Sequence, residues 1–130
     1  METIEVTAAI IRRGEVILIA QRLDKSHLGG LWEFPGGKRE AGESLEACLE
    51  RECAEELGVT VKAGELVRAV EHSYPERRVM LYFFECRLLD GEPQALGCKS
   101  VRWVRPGELS SYRFPPADAT LIEDLVSGRL

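Results

Sequence analysis

Apolar positions along the chain change period several times, and each change marks an element. Glu5–Arg12 is mostly apolar and β-branched and predicts a buried strand. Gly14 turns the chain, and Val16–Gln21 (VILIAQ) predicts a second buried strand. Asp24–Gly30 (DKSHLGG) is polar and glycine-rich and predicts a loop. Leu31–Phe34 predicts a short extended piece that ends at Pro35-Gly36-Gly37. Ser44 is a good N-cap, and Glu46 places an acid in the first turn, where it suits the helix dipole. The spacing predicts a helix that runs to Leu57 and stops at Gly58, a natural left-handed cap. Leu49, Cys53 and Leu57 form a stripe that would seat this helix on a sheet.

Further on, Val59–Val70 and Arg78–Leu89 predict longer strands. Met80, Tyr82, Phe84 and Cys86 alternate with Leu81, Phe83 and Glu85, so both faces of the second strand are largely apolar. Asp90-Gly91 predicts a turn, Ser100–Val104 (SVRWV) a short strand and Pro106–Leu109 a helical turn. Pro115–Ala117 leads into a final helix, Asp118–Val126, with Leu121, Ile122 and Leu125 on one face. Strands outnumber helices, and the helices can cover both faces of the sheet, which predicts an α/β layered domain.

A length of 130 residues suits one domain spanning 1–130 and can bury a core without staples. The net charge of −5 argues against a broad phosphate-backbone footprint, and hence against stable nucleic-acid binding. It leaves a small anionic substrate open, because a bound divalent ion inverts the local field. Cys48, Cys53, Cys86 and Cys98 show no metal-ligand or redox spacing and read as reduced, mostly buried thiols. Glu2 and Glu5 stand where a signal peptide needs basic residues, and no apolar run approaches the ~18 residues of a membrane span. The expected location is cytoplasmic, with no membrane partner.

The stretch Arg51–Gly58 (RECAEELG) places Glu52, Glu55 and Glu56 on one side of the predicted helix. Like charges three and four residues apart repel, so something must offset them. Upstream, Gly37 is followed after five residues by Glu43 and after seven more by Arg51-Glu52. The whole run, GKREAGESLEACLERECAEELGV, resembles the Nudix box G-x5-E-x7-R-E-U-x-E-E-x-G-U, where U is apolar. Every fixed position matches, and Cys53 and Val59 fill the apolar ones. A chance match is on the order of one in 10⁸ per window.

The resemblance implies the Nudix fold, a mixed β-sheet sandwiched between α-helices, and a metal-dependent nucleoside triphosphate pyrophosphohydrolase. It implies Mg²⁺ or Mn²⁺ held by Glu52, Glu55, Glu56 and the Gly37 carbonyl, which would cancel the repulsion. Arg51 would pair with Glu43, and Glu52 is the candidate general base. Outside the box, Trp32–Lys38 (WEFPGGK), Tyr74-Pro75-Glu76-Arg77 and Phe114-Pro115-Pro116-Ala117-Asp118 resemble the MutT type, which hydrolyses 8-oxo-dGTP to the monophosphate and pyrophosphate. That likeness assigns Arg22 and His27 to the sugar and phosphates, Phe34, Tyr74, Arg77 and Asp118 to the base end of the substrate, and Lys38 to the substrate-binding residues. The partner is then a small nucleotide, and the protein a monomer or homodimer.

Two positions depart from the MutT pattern. Asp118 stands where an asparagine reads the purine, and a CTP/5-substituted-dCTP pyrophosphohydrolase in the family also has Asp there. Ionised Asp only accepts hydrogen bonds, whereas Asn donates and accepts. Cytosine nucleotides are therefore the rival substrate. Gly97 stands where the type usually places a further glutamate, with Glu92 upstream of it. A non-catalytic nucleotide-binding module is the alternative of a different class. Such modules lose box glutamates, and here all are present.

Overall fold

A computed structural model describes residues 2–130. In chain order the strands are β1 (Thr3–Arg13), β2 (Val16–Gln21), β3 (Trp32–Glu33), β4 (Gly36–Lys38), β5 (Thr60–Ser73), β6 (Arg78–Asp90) and β7 (Ser100–Val104). The α-helices are α1 (Leu45–Leu57) and α2 (Ala119–Val126), and 3-10 turns cover Pro106–Ser111 and Pro116–Asp118. The strands form one mixed sheet in the order β3-β2-β1-β6-β5, with β4 added to β1 and β7 to β2. β1 and β6 run parallel, and every other pair is antiparallel. The expected α/β architecture is therefore present.

Strand alternation divides the interior in two. Ala9 and Ile11 of β1, Leu18 and Ala20 of β2, and Phe84 and Cys86 of β6 face α1, where they meet Leu49, Cys53 and Leu57. Ala8 and Ile10, Ile17 and Ile19, and Phe83 face the other way, against Phe34, Leu109, Leu121 and Leu125. Full burial of a side chain such as Leu49 or Leu57 contributes about 1.5–3 kcal/mol, far more than helix propensity supplies. The ends of α1 follow the sequence closely. The Ser44 hydroxyl accepts from the Ala47 N–H at 3.0 Å, and Gly58 takes the left-handed conformation (φ 69°) and donates to the Ala54 carbonyl.

β1 is the hinge of the layout. Along one edge its partner changes from β4, at Val6–Ala8, to β2, at Arg12–Arg13. β4 brings Gly36 and Gly37 against β1 so tightly that a Cβ on Gly36 would overlap the Thr7 carbonyl. All four cysteines are free and buried, as their spacing implied. Among the described residues, no helix is long and apolar enough to cross a membrane.

Candidate active site

A cleft of about 510 Å³ opens between the first half of β1, the 22–28 loop, β4, the C-terminal half of α1 and the turn before α2. Its walls contain Arg22, His27, Phe34, Gly37, Lys38, Glu52, Glu56, Tyr74, Arg77 and Asp118, ten residues expected at the site. Arg51, Glu43 and Glu55 are not on the walls. Arg51 lies behind them and organises the other two.

Arg51 is the centre of the acidic helix. It donates to both oxygens of Glu43 (3.0 and 2.7 Å), to Glu52 Oε1 (2.9 Å), to Glu55 (3.2 Å) and to the Lys38 carbonyl (3.2 Å). The Arg51 guanidinium, helped by a backbone hydrogen bond, holds the Glu43 carboxyl down at about 2. The pair thus ties the loop after β4 to α1, and Glu43 caps it by accepting from the Glu40 N–H at 2.9 Å. Glu43 therefore supports the fold above its ordinary 4.5, and that support is lost as pH falls toward about 2. Arg51→Ala is expected to lower Tm at neutral pH by roughly 5 °C, because three carboxylates lose their shared partner. Calorimetry against pH checks this. The gap between variant and native protein should narrow as the carboxylates protonate in acid.

Glu52 packs directly on Gly37, where a Cβ would overlap its carboxylate. Burial pushes the Glu52 carboxyl up, against the pull of Arg51. Glu56 is buried further, and desolvation, with Glu33 and Glu52 nearby, raises it to about 8. Glu55 is exposed, with 58% of its side chain in solvent. Among the described residues, no three His, Cys, Asp or Glu side chains lie close enough together to hold an ion as placed. Arg51 occupies Glu52 and Glu55 instead, so a cation entering here competes with that guanidinium. The donor set still fits a hard divalent ion. It consists of carboxylates and a carbonyl, and the Glu52 carboxylate lies beside Gly37.

The opposite end of the cleft is aromatic. Phe34 is buried and stacks on Phe114 at 5.3 Å. Tyr74 sits edge-on between the rings of His27 (5.2 Å) and His72 (4.7 Å). Asp118 is 5% exposed, and its side chain caps no helix. Burial, and then the nearby Glu33, raise its carboxyl to about 7. Its carboxyl is therefore free to meet a ligand, and both protonation states are accessible near neutrality.

Sequence reasoning passed over Glu33 and His72, which also line the cleft. Glu33 accepts from Arg22 Nη1 at 2.6 Å, and Arg22 Nε donates to the His27 carbonyl at 2.7 Å. A signal for Glu33 existed: it is a lone acid between two aromatic residues in WEF, and alternation turns it away from the core that buries Trp32 and Phe34. At Gly97, backbone rather than a carboxylate lies against α1, with Gly97 N–H donating to the Glu56 carbonyl at 3.0 Å.

A family model described as the NUDIX domain matches residues 6–124. The chain is 40% identical to the CTP pyrophosphohydrolase of Escherichia coli (strain K12), over 99% of this chain and 96% of that protein. It is 36% identical to the 8-oxo-dGTP diphosphatase of Haemophilus influenzae, over 95% of this chain and 92% of that one. Among solved structures, that of the E. coli ORF135 protein superposes with a TM-score of 0.84 at 40% identity, covering 99% of this chain and 92% of that chain.

Proposed function

The chain belongs to the Nudix family, and on that premise we propose that this hydrolase releases pyrophosphate from 8-oxo-dGTP, yielding 8-oxo-dGMP and clearing an oxidised precursor before it enters DNA. The relatives support a small nucleotide substrate, and Nudix hydrolases in general use divalent metal ions. Mg²⁺, or Mn²⁺, would be held by Glu52, Glu55, Glu56 and the Gly37 carbonyl. When bound it supplies positive charge to the phosphates and makes an attacking water more acidic. The chain's own residues do the rest. Glu52 would accept a proton from the water that attacks phosphorus in line. Arg51 and Glu43 keep the box loop and α1 in register. Arg22, His27 and Lys38 meet the sugar and phosphates, while Phe34, Tyr74 and Arg77 border the base.

Asp118 is the observation that carries the substrate reading. A carboxyl raised to about 7 keeps a proton in much of the population at neutral pH. It can then donate to O6 of 8-oxoguanine and accept from N7–H, as an asparagine would. Ionised, it would accept from the exocyclic amine of cytosine instead. The second reading, CTP or a 5-substituted dCTP, is favoured by that ionised form and by the 40% identity to the CTP pyrophosphohydrolase.

The test is pyrophosphate release with Mg²⁺ from 8-oxo-dGTP, dGTP, CTP and 5-methyl-dCTP. A kcat/KM for 8-oxo-dGTP higher by on the order of 10²-fold is the expected result. A preference for the cytosine nucleotides overturns it in favour of the second reading. Mg²⁺ alone should also raise Tm, since it binds the native state. The rise should be larger above pH 8, where Glu56 no longer has to release a proton to bind the ion. No turnover and no rise in Tm would leave a non-catalytic binding module.

A further inference from the structure

We infer that Arg39 and Glu5 are positioning residues for the pair of Glu43 and Arg51, and that they ease the entry of the divalent ion at Glu52 and Glu55. The inference rests on the reading above, in which those carboxylates hold the ion. Arg39 opens the loop that runs from β4 to Glu43. Its N–H donates to the Glu5 carbonyl of β1 at 2.9 Å. Its guanidinium reaches across the loop, where Nη1 donates to the Glu43 carbonyl at 3.0 Å. One residue thus joins both ends of the loop to β1. Glu5 fixes that guanidinium. Its Oε1 accepts from Arg39 Nε (2.7 Å) and Nη2 (2.6 Å), and its Oε2 accepts from the Tyr82 hydroxyl of β6 (3.3 Å).

The first backbone bond of α1 runs from the Cys48 N–H to the Ser44 carbonyl, so the Glu43 carbonyl lies outside the helix and takes its hydrogen bond from Arg39. The Glu43 carboxylate meets Arg51 Nε and Nη2. Glu43 is therefore gripped twice, at its carbonyl by Arg39 and at its carboxylate by Arg51. That grip matters when a cation arrives. Arg51 Nη1 sits on Glu52 and Glu55, and those contacts must break before the two carboxylates can turn to an ion. Nε and Nη2 do not have to move, because a fixed Glu43 keeps them paired while Nη1 lets go. A Glu43 that drifts would leave Arg51 leaning on Glu52 and Glu55, in competition with the ion. Arg39 and Glu5 act through Glu43 and Arg51, and a support arranged in advance raises affinity by lowering the ordering cost of binding. The charge of Arg39 works in the opposite direction, since a cation near the site repels an ion. Position and charge therefore predict opposite signs for its removal.

The test is ion affinity measured without substrate, by titration calorimetry with Mn²⁺ and with Mg²⁺, on Arg39→Met, Arg39→Lys, Glu52→Gln, and Arg51→Ala with and without Arg39→Met. Arg39→Met keeps the aliphatic stem and removes every hydrogen bond of the guanidinium. Its Kd for the ion should rise roughly two- to fivefold, the scale of a partly exposed ion pair. Arg39→Lys keeps the charge without the planar fork and should stay as weak. In the Arg51→Ala background, Arg39→Met should leave Kd unmoved, because it acts through Arg51. In turnover, Arg39→Met should raise the Mg²⁺ concentration for half-maximal rate and leave kcat at saturating Mg²⁺ unchanged, a split that loss of fold stability alone would not produce. A Kd for Arg39→Met that is unchanged or lower overturns the inference and leaves the ion site intact. So does full recovery in Arg39→Lys, or an equal rise in Kd with Arg51 already removed. Ion binding that survives Glu52→Gln undiminished overturns the reading of the site itself, a separate outcome.

Discussion

Glu52→Gln should reduce pyrophosphate release by on the order of 10³-fold and leave the fold at least as stable as before. Glu52 is wedged against Gly37, lines the cleft and accepts from Arg51 at 2.9 Å. A glutamine fills the same volume, and its amide oxygen can still accept from Arg51. It cannot carry charge to a cation or take a proton. Because burial already pushes the Glu52 carboxyl up, a neutral replacement relieves an unfavourable charge. Tm in the absence of metal should therefore hold or rise while activity collapses. The measurement is kcat at saturating nucleotide beside a melting curve. A variant that keeps a tenth or more of the native kcat would remove Glu52 from the reaction.

Asp118→Asn should separate the two candidate substrates. In the native protein, the affinity for 8-oxo-dGTP should weaken as pH rises through about 7, because the proton given to O6 is lost. Cytosine nucleotides should show the opposite slope. Asparagine always donates and accepts, so Asp118→Asn should hold its KM for 8-oxo-dGTP across that range and lose any activity on CTP. Asp118→Ala should lower kcat/KM for the true substrate by on the order of 10²-fold, with kcat less affected than KM. Stability has its own sign. A carboxyl raised from 3.8 to about 7 costs stability as pH rises through that window, so Asp118→Asn should melt higher than the native protein above pH 7. A flat pH profile of KM in the native protein would remove Asp118 from base recognition.

The parts legible in the sequence are those whose information is local. Ser44, Glu46 and Gly58 fix the ends of α1, and Leu45–Leu57 forms as the spacing predicts. The Arg51–Glu43 pair follows from the box and is found in bidentate form. β2 and β7 match their predicted bounds, because each is an uninterrupted strand pattern between turn residues. What local pattern missed depends on pairing. β4 is Gly36-Gly37-Lys38, which has no strand preference of its own and exists because β1 offers it partners. β1 extends to Thr3 and β5 to Ser73, past the predicted ends, through their pairing with β6. Thr7 and Cys48 read as a strand residue and a helix residue, and only the register of β1 on β4 together with the packing of α1 brings both to the Gly37 carbonyl. The glutamates share a side of α1 as expected, yet Glu55 stays in solvent while Glu56 turns into the cleft.

The divided interior described above has a consequence for descent. The residues that would cut the phosphate chain are anchored in one half of the molecule, on α1. Of those that would recognise the base, Phe34 is anchored in the other, beside Phe114, and Asp118 lies on the turn into α2. A substitution that reshapes the second half need not disturb the first. The base end of the cleft is therefore open to change while the hydrolytic end is kept. Relatives named for CTP and for 8-oxo-dGTP, each matching 95% or more of this chain, are the outcome such a partition allows.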